Sequence, residues 1–167
     1  MRNLSILFVC LGNICRSPVA EAVFAKIAAE NGKSSVFNID SAGLLSYHKG
    51  EPADSRMRYF AGKRGYNLTH RSRPFTRADF DRFDMIVGMD DSNIDGLKQL
   101  SMTNEEVAKI FRMTDFCVNK EADHVPDPYY GGDKGFEYVI DLLEDACSGL
   151  YSQLVSFSAT LPKPGLA

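Results

Sequence analysis

A thiol and a guanidinium stand six positions apart in LSILFVCLGNICRSPVAEAVF, where an apolar run meets an amphipathic one. Leu4–Cys10 reads as a buried parallel strand, which delivers Cys10 to the end of a sheet. A helix beginning near Ser17–Pro18 turns its unsatisfied N–H groups back toward the same spot. The five residues between Cys10 and Arg16 let the backbone curl into a cup around one phosphate-sized anion. Positive charge there favours the thiolate form of the cysteine, the form that attacks. Strand, anion loop and helix in immediate succession predict an α/β protein with its site at a strand's carboxyl end.

The residues inside the loop sharpen this reading. Gly12 is expected to supply a positive φ and close backbone approach. Asn13 tolerates the left-handed conformation and can tie the loop to itself. Ser17 can cap the helix or donate its hydroxyl to the Cys10 sulfur, and Pro18 suits a first helical turn. No Gly-Lys-Ser/Thr follows the glycine, so the lysine and magnesium-binding hydroxyl of a nucleotide P-loop are missing. What remains grips an oxyanion through Leu11, Gly12, Asn13, Ile14, Cys15, Arg16 and Ser17, and attacks it.

VCLGNICRSP, followed far downstream by DPYYGG, resembles the low-molecular-weight protein tyrosine phosphatase family. The likeness extends through DSAG at Asp40–Gly43, MDDSN at Met89–Asn93 and DPYY at Asp127–Tyr130. It implies a four-stranded, doubly wound parallel sheet flanked by helices, a flavodoxin-like three-layer sandwich. It further implies that His70 hydrogen-bonds Asn13, and that aromatics at or near Tyr47 and Tyr129 wall a slot for an aryl ring. Relatives specific for phosphoarginine carry threonine at the position of Ile14, so isoleucine here favours phosphotyrosine.

The acid that such chemistry requires is Asp127, on a turn fixed by Pro126 and Pro128, where the following proline pushes it to an extended conformation. Asp40 is expected to hold the phosphate loop by hydrogen bonds, and Asp90 to have a similar structural role. His48 and His124 read as surface residues. Cys10 and Cys15 share the curled loop, so a reversible disulfide would protect an oxidised nucleophile. The implied reaction is ping-pong hydrolysis without metal or cofactor, since Arg16 and the backbone amides supply the positive charge.

Two alternatives stay open on the sequence. An arsenate reductase of the same fold passes oxidation to cysteines after residue 80, yet Arg82–Met89 contain none, and Cys117 and Cys147 lie elsewhere. A phosphocarrier would keep its phosphocysteine, and Asp127 argues against that.

The 167 residues suit one domain, taken as 1–160, with a Pro/Gly-rich tail at 161–167 read as frayed. Hydrophobic content of 44% and charged content of 25% are those of a globular chain, and a net charge of −3 offers nothing to nucleic acid or anionic membrane. Any anion specificity is therefore local. The expected partners are phosphotyrosine proteins, met by a monomer or weak dimer in the cytoplasm. The apolar stretch in MRNLSILFVCLGN is too short for a signal-peptide core, and four cysteines without such a signal fit a reducing compartment. Their spacing matches no zinc pattern.

Further along, the periodicity predicts helix over 18–31 with Val19, Ala22, Val23, Ala25 and Ile27 inward. It predicts strand over 37–41, helix over 53–63, strand over 84–88 and helix over 92–100. Ala108–Met113 reads as a fourth strand, although helical spacing fits 105–111 nearly as well. A last helix over 134–157 carries Phe136, Val139, Ile140, Leu143, Ala146, Leu150 and Leu154 at core spacing.

Overall fold

A computed structural model describes residues 2–160, so the expected fraying of 161–167 lies outside the described residues. Four parallel strands, β1 (Leu4–Cys10), β2 (Phe37–Gly43), β3 (Met85–Gly88) and β4 (Ile110–Arg112), form one sheet in the order β2-β1-β3-β4. The chain steps to one side of β1 first and to the other side afterwards. The crevice between the ends of β1 and β3 is therefore the topological switch point, where ligands bind in open α/β sheets. Cys10 ends β1 and Asp90 follows β3 by two residues, so both lie at that crevice.

Helices α1 (Arg16–Glu30), α2 (Ser55–Lys63) and α6 (Asp133–Thr160) build the larger core on one face. Short α3 (Ala78–Arg82) and α4 (Asp91–Leu100) cover the other face, where Phe80, Phe83 and Leu97 pack on Leu7, Val9 and Ile86. The inward stripe of α1 is Val19, Ala20, Val23, Phe24 and Ala28; the expected Ala25 is exposed, and Ala22 and Ile27 are only half-buried. The correction follows from Phe24, whose ring meets Phe8, Phe37 and Tyr151 and sets the helix's rotation. Helix α1 stops where Gly32 takes φ +67, with Lys33 N–H on Ala28 O (2.8 Å) and Gly32 N–H on Ala29 O (3.0 Å), a Schellman ending.

The ambiguous segment near residue 108 contains both forms: α5 (Asn104–Ala108) runs straight into β4. Helix α3 is additional to the elements that the sequence predicts, and β2 extends two residues past Ser41. That extension brings Gly43 against the anion loop. A Cβ there would sit 3.0 Å from Gly12 C and Leu11 O, so a larger residue would push the loop out of place.

Candidate active site

The loop closes on itself through Asn13, the one non-glycine among the described residues with positive φ (57°). Gly12 does not take the positive φ expected of it; its lack of a side chain makes room for His48, whose Cδ2 would lie 3.2 Å from a Cβ there. The amide of Asn13 donates to Ser17 Oγ (2.8 Å) and Ser41 Oγ (3.0 Å). Its Oδ1 accepts from Arg73 N–H (3.0 Å) and His70 Nε2 (2.9 Å). Ser17 does not cap α1, whose N-cap is Cys15 without a side-chain bond. Instead Ser17 Oγ lies 3.0 Å from Cys10 Sγ. Because α1 begins at Arg16, the unpaired N–H groups of its first turn belong to the loop wall.

Arg16 is only 2% exposed, and its guanidinium is held from three sides. Nη1 donates to Asp90 Oδ2 at 2.6 Å and to Val125 O at 3.0 Å, while Nη2 lies 3.5 Å from Asp127 Oδ2. Burial works against its charge, but Cys10, Asp90 and Asp127 outweigh it, and the net effect is a raised pKa. Val125 N–H bonds Met89 O at 2.8 Å, which ties the Asp127 turn to the end of β3. Asp127 Oδ1 accepts from Tyr129 N–H (3.1 Å), and its side chain keeps partial exposure to solvent.

These groups surround a recess of about 300 Å³ lined by Cys10, Leu11, Gly12, Ile14, Cys15, Arg16, Leu45, Tyr47, His48, Asp127, Tyr129 and Tyr130. Tyr129 is half-buried in its wall, whereas Tyr47 and Tyr130 are almost fully exposed. His48, read from sequence as a surface residue, belongs to this wall: Nδ1 meets Glu51 Oε2 at 2.7 Å, and its ring lies between Tyr47 and Tyr129. His124 is exposed, as expected. Cys15 is buried beside Cys10, and burial, then the negative charge of Asp54 and Cys10, pushes its thiol well above the ordinary range.

Asp40 reaches the loop only through intermediaries. Its Oδ2 accepts from Arg73 Nε (3.0 Å), and Oδ1 lies 3.4 Å from His70 Nδ1 and accepts its neighbour Ser41 N–H (2.9 Å). Direct contact with the loop, beside that of His70, comes from Ser72 and Asp54. Ser72 Oγ donates to Gly12 O (3.0 Å), and Asp54 N–H donates to Ile14 O (2.8 Å). Glu21, its pKa raised by burial, lies 3.3 Å from His70 Nδ1. Asp54 also caps α2 through Arg56 N–H and Met57 N–H, a Pro-Ala-Asp-Ser signal legible before the helix. Arg56 pairs with that carboxylate and donates to Tyr129 O (2.8 Å), bracing the wall.

The family model described as low molecular weight phosphotyrosine protein phosphatase matches residues 5–159. The chain belongs to this family. A low molecular weight protein-tyrosine-phosphatase of Streptomyces coelicolor is 41% identical over 147 residues, covering 87% of this chain and 90% of its own. A crystal structure of protein tyrosine phosphatase from Entamoeba histolytica, with Hepes in its active site, is 47% identical. It superposes with a TM-score of 0.90 over 93% of this chain and 99% of its own. A Drosophila arginine phosphatase is 30% identical, with a TM-score of 0.83 over 89% and 96% of the two chains. The four-stranded order and flanking helices of this phosphatase are thus those of its relatives.

Proposed function

We propose that the protein hydrolyses phosphotyrosine on other proteins through a cysteinyl-phosphate intermediate, working as a single domain over residues 1–160. The observation that carries this reading is one recess whose wall holds Cys10, Arg16, Asp127 and Tyr129 together. Cys10 attacks phosphorus in line, and the P–O bond to the leaving oxygen breaks as the S–P bond forms. The planar fork of Arg16 and the amides of residues 11–17 hold the equatorial oxygens. Ser17 Oγ, 3.0 Å from the sulfur, stabilises its negative charge at attack and again at departure. Asp127 protonates the leaving phenolate, then takes a proton from the water that displaces the Cys10 sulfur. Tyr129, with the exposed Tyr47 and with His48, walls the aryl ring. Asn13, Ser17, His70 and, through Arg73, Asp40 keep the loop in shape.

Ile14 and the aromatic wall favour an aryl phosphate over phosphoarginine, the substrate class named for the Drosophila relative. Arsenate reduction in this fold would pass oxidation on to further cysteines after residue 80, beyond Cys15, and these would have to reach the site. Cys147 is instead fully buried with its thiol on Ala20 O at 3.6 Å, on the α1 face of the sheet. Cys15 is the partner that would form a protective disulfide with oxidised Cys10, releasing water from the sulfenic acid. A monomer or weak dimer in the cytoplasm fits this role, with neither nucleic acid nor membrane as partner; among the described residues no helix is long and apolar enough to cross a membrane.

Kinetics on matched phosphotyrosine and phosphoarginine peptides test the reading. Cys10→Ser should abolish turnover yet still bind orthovanadate. Preference for phosphoarginine would overturn the substrate assignment, and substantial activity in Cys10→Ser would remove the nucleophile.

A further inference from the structure

Outside the recess lies an ion pair for which the reaction has no direct use. Asp79, in α3, is fully buried. Its Oδ1 accepts from Arg73 Nη2 and its Oδ2 from Arg73 Nη1, both at 3.1 Å, a two-pronged fork. Oδ2 also accepts the Thr76 backbone N–H at 2.8 Å. A carboxylate removed from water is costly unless it is paired and hydrogen-bonded. The reach back from α3 to the Thr76 N–H does not account for the fork, because the single oxygen of an uncharged asparagine would accept that bond as well.

The fork, together with Asp40 Oδ2 on Arg73 Nε at 3.0 Å, fixes a strap, residues 70–75, that lies against the anion loop. Gly43 N–H donates to Arg73 O (2.9 Å) and Phe75 N–H donates to Gly43 O (2.7 Å), so the strap is stitched to the end of β2. Both bonds received by Asn13 Oδ1 come from it: Arg73 N–H at 3.0 Å and His70 Nε2 at 2.9 Å. With its oxygen held there, Asn13 must turn Nδ2 to Ser17 Oγ, which stands 3.0 Å from Cys10 Sγ. A left-handed asparagine is held by its side-chain bonds, and a loosened strap would release both its backbone and its amide.

We propose that Asp79 is a positioning residue for the anion loop, acting through the Arg73 fork on Asn13 and so on the Ser17–Cys10 contact. The inference rests on the reading of residues 10–17 as a phosphate cup. It extends the site to a buried charge on the opposite face of the sheet, where the smaller core lies.

A double-variant cycle in the full chain tests it, pairing Asp79→Asn with Asn13→Ala. The readouts are orthovanadate affinity and kcat/KM for p-nitrophenyl phosphate, with thermal melting followed in parallel. Asp79→Asn is expected to weaken both readouts about tenfold, and the double variant to be no worse than Asn13→Ala alone, the signature of two residues acting in one chain. Arg73→Lys keeps the charge but loses the fork, so it should give a smaller loss of the same kind; it replaces Asp79→Asn if that variant does not fold. Losses that multiply in the double variant overturn the proposal. So does a lowered melting temperature with both readouts unchanged. Failure of the underlying site reading looks different, because the unaltered protein itself would then ignore vanadate.

Discussion

Asp90 serves two masters, and two substitutions separate them. Its Oδ1 caps α4 by accepting Asn93 N–H at 2.7 Å, and its Oδ2 accepts Arg16 Nη1 at 2.6 Å. Asparagine caps a helix about as well as aspartate, but it has a single side-chain oxygen and cannot also accept from Arg16. Asp90→Asn therefore removes only the bond to the buried guanidinium. A charge-assisted hydrogen bond contributes about 1.5–3 kcal/mol, and the partial exposure of Asp90 favours the lower half, about 1.5–2 kcal/mol. Asp90→Ala loses the cap as well, about 1 kcal/mol more. At about 2–4 °C per kcal/mol for a chain of this size, melting should fall by about 3–8 °C in the first variant and about 5–12 °C in the second. Arg16 would then be held by Val125 O and the 3.5 Å approach of Asp127. If the lost orientation is felt fully in the transition state, kcat/KM for a phosphotyrosine peptide drops about 10–30-fold, equally in both variants. Thermal melts and steady-state kinetics on the same preparations decide the matter. Equal melting temperatures would refute the capping share. Unaltered kcat/KM in Asp90→Asn would refute the claim that Asp90 aims Arg16.

Asp127→Ala should slow cleavage of phosphotyrosine far more than cleavage of an ester whose leaving group needs no proton; equal losses would remove it as the acid. Gly149→Ala should destabilise the fold by about 3 kcal/mol or more in urea unfolding, because a Cβ there would stand 1.9 Å from Phe116 O where α6 crosses the turn after β4. Burial, and then the charge of Asp145, pushes the Cys117 thiol up to about 11. Its alkylation by iodoacetamide should be slow at pH 8 and rise about tenfold per pH unit toward pH 11, and rapid reaction at pH 8 would contradict that environment.

The strand, loop and first helix were legible because they are local: the apolar run, Asn13 and Pro18 each carry their conformational meaning within a few residues. Gly12 misled for a physical reason. Glycine signals either positive φ or close approach, and only the fold shows that His48 comes to rest against it. Glu21 and Arg73 were invisible as site residues because their meaning lies in contacts with Asn13, His70 and Asp40, far away in the chain. The short α3 gave no usable periodicity, since five residues barely exceed one turn. Helix α5 did leave a signal. Thr103 followed by Glu106 is a capping pair, and Glu106 N–H does bond Thr103 Oγ1 at 3.1 Å, so the ambiguity near residue 108 could have been divided into helix and then strand.

Rapid acid quench of a phosphotyrosine-peptide reaction, followed by mass mapping of the chain, bears most directly on the covalent route. A phosphoryl group should appear on the Cys10 peptide during the first turnover, with the phenol released in a burst equal to the enzyme present. Sustained turnover with no phosphoryl on Cys10 at any quench time, or with the group on another residue, would contradict the account.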